Sequence, residues 1–263
     1  MSAQYNEIPV VILCGGKGLV LHENQSQRIN KALVRINGKP MFWWVVMHYA
    51  IYGAQQFLLP TELQADIFRS FLMGECEAEQ DKNDENTYYV YLFDNKISIY
   101  LVLTAPEFNT AQRLLACKPY LYGSNHFALT YSDTLSDVDL NKVLSFHLSQ
   151  GTVATLVSTQ YPVRFRILGM RYGESTVRAF ASKPVIEAAA INGGFYLFTN
   201  NVWDLEYSLD GNAPIESVLL DKLVEKKQLT AYQHNGQWQH CDAERDIPEL
   251  TSIAIQIASR SGE

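Results

Sequence analysis

Three parts of this chain carry side chains or backbone groups with chemical reach. Leu13-Cys14-Gly15-Gly16-Lys17-Gly18 puts three glycines within four residues, directly after the apolar run Val10-Val11-Ile12-Leu13. Without a Cβ, glycine lets several N–H groups turn inward and cradle an anion such as a phosphate. The loop matches neither common phosphate-loop pattern, having no Gly-Lys-Ser/Thr and not the glycine spacing of a dinucleotide site. Lys31 follows the polar stretch His22 to Arg28 and precedes Ala32-Leu33-Val34. A lysine so placed can reach a phosphate as a point charge. Asp133 follows the apolar run Phe127 to Tyr131, and Asp242 follows Gln237-Trp238-Gln239-His240-Cys241. Two aspartates brought together from distant strand ends can hold magnesium, which prefers carboxylate and water oxygens. Taken singly, each of these residues also reads as an ordinary turn or surface position.

The elements that must position them alternate between strand and helix. Residues 9–14 read as a buried first strand. Lys39 to Tyr52 reads as a buried helix with Pro40 near its first turn and Gly53 just past its end. A strand is expected over Ala54 to Leu59. A helix then opens at Pro60-Thr61-Glu62-Leu63, with Thr61 as N-cap, and closes at Gly74. Residues 75–87 are acidic and without periodicity, and read as a solvated loop. Strands follow at 88–93, 97–104, 127–131 and 152–159. Helices are expected over Ala111 to Lys118, Asp139 to Gln150 and about Ile215 to Lys227. The alternation predicts a three-layer α/β architecture: a mostly parallel sheet with helices on both faces, and ligands beyond the carboxyl ends of the strands. No repeat or linker divides the chain, so residues 1–263 read as one domain.

Composition narrows the function. The formal net charge is −7, which speaks against broad nucleic-acid binding but leaves room for a small anion held by local lysines. No apolar run is long enough to span a bilayer, and the first residues lack the pattern of a secretion signal, so a cytoplasmic protein without membrane contact is expected. Cys14, Cys76, Cys117 and Cys241 are scattered and read as free thiols of a reducing compartment. The histidines form no metal-ligand pattern, and no Gly-x-Ser-x-Gly elbow is present. Phe42-Trp43-Trp44 reads as core.

In order and spacing these motifs resemble the sugar-1-phosphate nucleotidyltransferases, and within them the glucose-1-phosphate cytidylyltransferases. The resemblance runs from Val10 to about Leu250. It is carried by Leu13 to Gly18, Lys31 to Met41, Tyr131 to Asp139, Arg164-Phe165, Ser182-Lys183-Pro184, Ile191 to Tyr196, and Trp238 to Asp242 with Arg245-Asp246. It implies the nucleotide-diphospho-sugar transferase fold. The implied reaction has a sugar-1-phosphate oxygen attacking the α-phosphorus of a nucleoside triphosphate, which yields a nucleotide-sugar and pyrophosphate. By the same resemblance Leu13, Gly15, Gly16 and Gly18 hold the nucleotide, and Thr110 and Arg113 lie on the cytosine side. Lys31 neutralises phosphates; apart from the resemblance, Lys17 in the loop itself, with Arg28 as a second candidate, is expected to place a compensating cation near the β- and γ-phosphates. Asp133 and Asp242 bind Mg2+. Lys183, Asn192, Gly193 and Glu216 face the sugar phosphate. Homo-oligomers are common in the family.

The chain also departs from the family pattern where ligands bind. Leu19 and Val20 replace a threonine and an arginine of the loop. Ser132-Asp133-Thr134 stands for Gly-Asp-Gly, Ser182 for a glutamate, Ala243 for a threonine, and Ala111-Gln112 for a glycine pair. Losing a preorganised cation of this kind costs several kcal/mol of transition-state stabilisation. Two readings therefore stand: a working nucleotidyltransferase, with CTP the expected nucleotide, or a protein that binds a nucleotide or sugar phosphate on the same scaffold without turnover.

Overall fold

The structure is a computed structural model that describes residues 4–15, 30–62, 64–160, 167–169, 176, 179–181, 190–204 and 213–261. β1 (Val10–Leu13) is buried at every position, as a strand covered on both faces must be. β2 (Arg35–Ile36) and β3 (Lys39–Pro40) form a small hairpin turned by Asn37 and Gly38, both at positive φ. Asn-Gly is the pair that such a two-residue turn favours. α1 (Met41–Ile51) follows at once, with Pro40 as its extended N-cap and Met41 to Ala50 all buried. Phe42, Trp43 and Trp44 lie inside the core, and the indole N–H of Trp44 donates to the Ile36 carbonyl.

β4 (Gln56–Thr61) runs two residues beyond the expected end, and α2 (Ala65–Glu75) begins correspondingly late, with Gln64 rather than Thr61 at its N-cap. The expectation missed because Pro60 suggests a helix opening. Here Pro60 sits past the last residue that pairs with β1, so its missing N–H interrupts no ladder on that side. The acidic stretch 75–87 is also more ordered than expected. It contains β5 (Glu79–Gln80), and its turn is built by carboxylates that accept backbone N–H groups: Asp81 from Asn83 and Asp84, Asp84 from Asn86.

β6 (Thr87–Leu92) and β7 (Asn95–Leu103) form a hairpin. α3 (Thr110–Cys117) starts at a capping box made by Asn109 and Gln112. β8 (His126–Tyr131) turns through Ser132-Asp133 into β9 (Thr134–Ser136). α4 (Leu140–Gln150) is capped by Asp139 and ends at left-handed Gly151. β10 (Ala154–Gln160) follows, then a short antiparallel pair, β11 (Ile167–Gly169) with β12 (Ala179–Ala181). β13 (Ala190–Thr199) precedes a π-helical turn, Glu216–Leu220, that runs into α5 (Asp221–Glu225). β14 (Leu229–His234), β15 (Trp238–His240) and α6 (Ile247–Ser261) complete the described chain.

Nine strands form one sheet in the order β14-β10-β13-β8-β1-β4-β7-β6-β5. Only β13 and β6 run against the rest, so the sheet is mostly parallel, as the alternating sequence predicts. Successive side chains of β1 go to opposite faces. Val10 and Ile12 join α1, α2, α4 and α6 in one apolar cluster, whereas Val11 and Leu13 join α3 and α5 in a second. Among the described residues no helix is long and apolar enough to cross a membrane.

Candidate active site

Asp133 lies where ligand chemistry belongs in a parallel sheet, at the carboxyl end of β8. Its neighbour Ser132 locks that end to β1, the hydroxyl (2.8 Å) and the N–H (3.2 Å) both donating to the Leu13 carbonyl. Asp242 arrives by a different route from the one expected. It does not follow a strand of the main sheet. It follows β15, which pairs antiparallel with β9 in a two-stranded sheet of its own. Because β9 begins directly after Asp133, pairing His240 with Thr134 carries Asp242 back to Asp133, and the Cys241 N–H donates to the Asp133 carbonyl at 2.9 Å. The buried Asp246 carboxylate fixes the bend by accepting the N–H groups of Asp242 (2.8 Å) and Ala243 (2.9 Å).

Lys31 opens a single 3-10 turn whose N-cap is Asn30. The Asn30 side chain is buried and works in two directions: it accepts the Ala32 N–H at 2.9 Å and donates to the Cys14 carbonyl at 2.8 Å. Lys31 is thereby tied to the end of β1. Its ammonium sits 3.1 Å from Asp242 Oδ1, 3.4 Å from Asp133 Oδ2 and 3.2 Å from His240 Nε2. Burial works against the charge on Lys31, but Asp133 and Asp242 outweigh it, so its pKa is raised. The same Nε2 also lies 3.1 Å from Asp242 Oδ1, so the imidazole edge meets both the lysine and the aspartate. Nδ1 in turn lies 3.0 Å from the Thr134 hydroxyl and 3.5 Å from Asp133 Oδ1.

A second cluster lies on the other side of β1, beyond the ends of β4 and β7. Arg113 is only 3% exposed. Its Nε donates to the Phe108 carbonyl and its Nη1 to the Thr104 hydroxyl, both at 3.0 Å, while Nη2 lies 3.3 Å from Glu62. Glu62 and Thr104 directly follow β4 and β7. The guanidinium presses against Gly15, where a Cβ would lie 1.7 Å from Nη1. The Thr110 hydroxyl accepts the Ile215 N–H at 2.9 Å, joining α3 to the segment that carries Glu216. The thiol of Cys14 is buried, and burial pushes its pKa well above the ordinary range, so it is no nucleophile.

A third cluster contains Asn192, Gly193 and Glu216. The pairing of β10 with β13 shifts register between Leu156 and Ser158, which leaves Val157 opposite Gly193, Gly194 and Phe195. A Cβ on Gly193 would come 2.9 Å from the Val157 carbonyl, and Gly194 has φ +80. The two glycines thus serve a bulge that re-aims Asn192. Asn192 Oδ1 accepts the Gly194 N–H at 3.0 Å, and its amide donates to the Tyr196 hydroxyl. Glu216 accepts a hydrogen bond from the Tyr131 hydroxyl. Burial, then the nearby Tyr196 and Glu216, push the Tyr131 phenol strongly up, which keeps it a donor.

The structure therefore joins Lys31, Asp133 and Asp242, and sets Thr110 with Arg113 and Asn192 with Glu216 in adjacent groups. Leu13 contributes a carbonyl that Ser132 already occupies. Gly16, Lys17, Gly18, Arg28 and Lys183 lie outside the described residues. Sequence reasoning passed over Asn30, Thr134, His240 and Tyr131. Of these, His240, Thr134 and Tyr131 stand inside the motifs around Asp242 and Asp133, whereas Asn30 carried no signal of its own. Two cavities lie away from this cluster: one of about 1090 Å³ at the opposite end of the sheet, lined by Asn6, Gln56, Asn125 and His126, and one of about 370 Å³ flanking β15, beside His234 and Trp238.

Among the described residues no three His, Cys, Asp or Glu side chains stand arranged to hold a metal ion; the Lys31 ammonium takes the central position instead. The donor set nonetheless fits magnesium. Mg2+ is commonly held by one or two carboxylates, with water and substrate phosphates completing its shell, and Asp133 and Asp242 offer two carboxylates at one point.

A family profile described as nucleotidyl transferase matches residues 9–243. The chain belongs to that family. It is 30% identical over 250 residues to a glucose-1-phosphate cytidylyltransferase of Salmonella typhimurium, covering 92% of this chain and 94% of that one. It is 25% identical over 256 residues to a mannose-1-phosphate guanyltransferase of Gibberella zeae, covering 96% of this chain and 65% of that one. The fold is that of the inositol-1-phosphate CTP transferase of T. maritima, with TM-score 0.67, 15% identity, and coverage of 97% and 98% of the two chains.

Proposed function

We propose that this protein transfers a cytidylyl group from CTP to a sugar-1-phosphate. A phosphate oxygen of the sugar phosphate attacks the α-phosphorus, the bond to the bridging oxygen breaks, and pyrophosphate leaves. The observation that carries the reading is the convergence of Asp133 and Asp242 on Lys31. Two carboxylates and a cation at the carboxyl end of a parallel sheet suit in-line phosphoryl chemistry, where positioning and charge neutralisation do most of the work. Mg2+ bound by Asp133 and Asp242 would supply charge neutralisation on the phosphates. Lys31 adds a cation at the same place. Backbone N–H groups from Gly15, Gly16 and Gly18, with Lys17, would hold the nucleotide, and Thr110 and Arg113 would line its base side. Lys183, Asn192, Gly193 and Glu216 would hold the sugar phosphate. We also read residues 1–263 as one domain and the protein as a homo-oligomer.

The similarity to the Salmonella relative supports cytosine, while the fungal guanyl relative keeps the base open to test. Pyrophosphate release is to be measured with CTP, UTP, GTP, ATP and dTTP against a panel of sugar-1-phosphates in the presence of Mg2+. Release with CTP that falls by about two orders of magnitude or more in Asp133→Asn and Asp242→Asn supports the proposal. A second reading rests on Leu19 and Val20, which replace the family's threonine and arginine. Thermal stabilisation by CTP with no release for any pair would favour a binding protein.

A further inference from the structure

Gly193 stands at a break in the pairing of β13. The register with β10 passes from Asn192 to Tyr196, and the register with β8 reaches back only to Phe195, so neither gives Gly193 a paired residue. A ladder interrupted in this way takes donors from outside the sheet. Trp238 reaches the break from β15, its indole N–H donating to the Gly193 carbonyl at 2.8 Å. The glycine makes room for the approach: a Cβ there would lie 3.5 Å from the indole nitrogen and 2.9 Å from the Val157 carbonyl. Trp238 is half-buried and borders the cavity of about 370 Å³, so packing encloses it on one side only. Side chains alternate along a strand, which puts Trp238 and His240 on the same face of β15. One strand of three residues thus touches two clusters, Trp238 at the bulge beside Asn192 and His240 beside Lys31.

We propose that Trp238 is a positioning residue for the cluster that holds Asn192 and Glu216: its indole N–H pins the Gly193–Gly194 bulge, and the bulge aims the Asn192 amide. The bulge is the soft point of that cluster. Two successive glycines have no side chain to pack, and Gly194 holds φ +80. The Asn192 side chain bonds to Gly194 and Tyr196, both on its own strand, and so moves with that strand. Trp238 fixes the strand against β15 instead. Asp242 is held separately, by Asp246 and by the Cys241 N–H on Asp133, so loss of the indole donor leaves the carboxylates in place. That the aimed amide meets a sugar phosphate rests on the function proposed above; the pin itself does not.

Two variants of the full chain separate the donor from the bulk. Trp238→Phe keeps an aromatic ring without an N–H. Trp238→His keeps a five-membered ring whose Nε2 stands where the indole nitrogen does. Hydrogen exchange read by mass spectrometry compares the segment 191–196 with α4 as an internal reference. In Trp238→Phe the segment is expected to exchange faster by about twofold to tenfold, the scale of one neutral hydrogen bond, with α4 unchanged. Trp238→His is expected to stay near wild type. Unchanged exchange in Trp238→Phe overturns the pin. Equal acceleration in both variants assigns the effect to lost bulk and overturns the role of the N–H. Should Trp238→Phe fail to give a cooperative melt, Trp238→Leu takes its place. In turnover, KM for the sugar-1-phosphate is expected to rise in Trp238→Phe by the same factor, with KM for the triphosphate unchanged. Faster exchange with an unchanged KM for the sugar-1-phosphate overturns the positioning role. No turnover by wild type with any substrate pair refutes the proposed function, and substrate positioning with it, while the exchange rates still decide the pin.

Discussion

The guanidinium of Arg113 lies against Gly15, so close that a Cβ on the glycine would fall 1.7 Å from Nη1 and 2.0 Å from Cζ. An arginine terminus normally yields to such a neighbour. This one is pinned by Glu62, Thr104 and the Phe108 carbonyl, and it is buried. Gly15→Ala is therefore expected to destabilise the fold by about 1–3 kcal/mol, as overpacking does. Urea unfolding measures it. Arg113→Ala removes the obstacle, so the double variant should cost clearly less than the two single costs added. Additive costs would mean that the contact is not the reason for the glycine.

Much of the architecture could be read before the structure because local signals and global packing agree. β1 is a short apolar run, α1 is apolar on every side with Gly53 behind it, and Asp139 and Gly151 bracket α4. The misreadings came where a local signal was ambiguous. Pro60 can open a helix or end a strand, and only the neighbouring strands decide which. Of the site, Lys31, Asp133 and Asp242 were legible from their motifs, but not the reason they meet. The β9–β15 pairing that joins them depends on two strands of three residues each, far apart in the chain and too short to show a period. Gly15 was legible as a place needing close backbone approach. What approaches it among the described residues is Arg113, a contact no local pattern could announce.

Tyr131 is expected to act through Glu216. Its phenol stays protonated and donates to the carboxylate, fixing one side of the cluster that also holds Asn192 and Tyr196. Tyr131→Phe removes the hydroxyl that meets Glu216 and Tyr196 and keeps the ring beside Tyr196. If Glu216 faces the sugar phosphate, KM for the sugar-1-phosphate should rise by about tenfold or more, the scale of one hydrogen bond to a charged group. KM for the triphosphate should not change. Steady-state kinetics with each substrate varied separately separates this from a general loss of folded protein, which would lower kcat alone.

Acid should weaken the fold before ordinary carboxylates titrate. His147 is buried, with Nδ1 2.9 Å from the Thr155 hydroxyl and Nε2 3.3 Å from His126 Nδ1. Burial, then the neighbouring His126, lower its pKa from 6.5 to about 4. The folded chain thus holds it neutral while the unfolded chain takes up a proton. Its contribution to stability is full above pH 6.5 and is lost as the pH falls towards 4. The loss is on the order of 3 kcal/mol. Burial lowers His126 in the same direction. Urea midpoints at pH 8, 6 and 4.5 read the slope. In His147→Gln the drop across that range should shrink, whatever the variant's stability at pH 8; an unchanged slope would assign the effect elsewhere.

Asn30 separates two duties that a single substitution series can tell apart. Its Oδ1 caps the turn that begins at Lys31, and its Nδ2 binds the carbonyl at the end of β1. Asn30→Ala removes both and leaves the Ala32 N–H and the Cys14 carbonyl without that partner in a buried place. A cost of about 1–3 kcal/mol is expected. Asn30→Ser keeps an oxygen able to cap the turn but is too short to bridge to Cys14. If the cap alone matters, Asn30→Ser should stay near wild type in both urea stability and turnover. If the bridge is what aims Lys31 between Asp133 and Asp242, Asn30→Ser should recover most of the stability yet keep the low kcat of Asn30→Ala. The second outcome is expected, because the cap holds Lys31 only within its own turn, whereas the bridge to Cys14 fixes that turn against the strand beside Asp133.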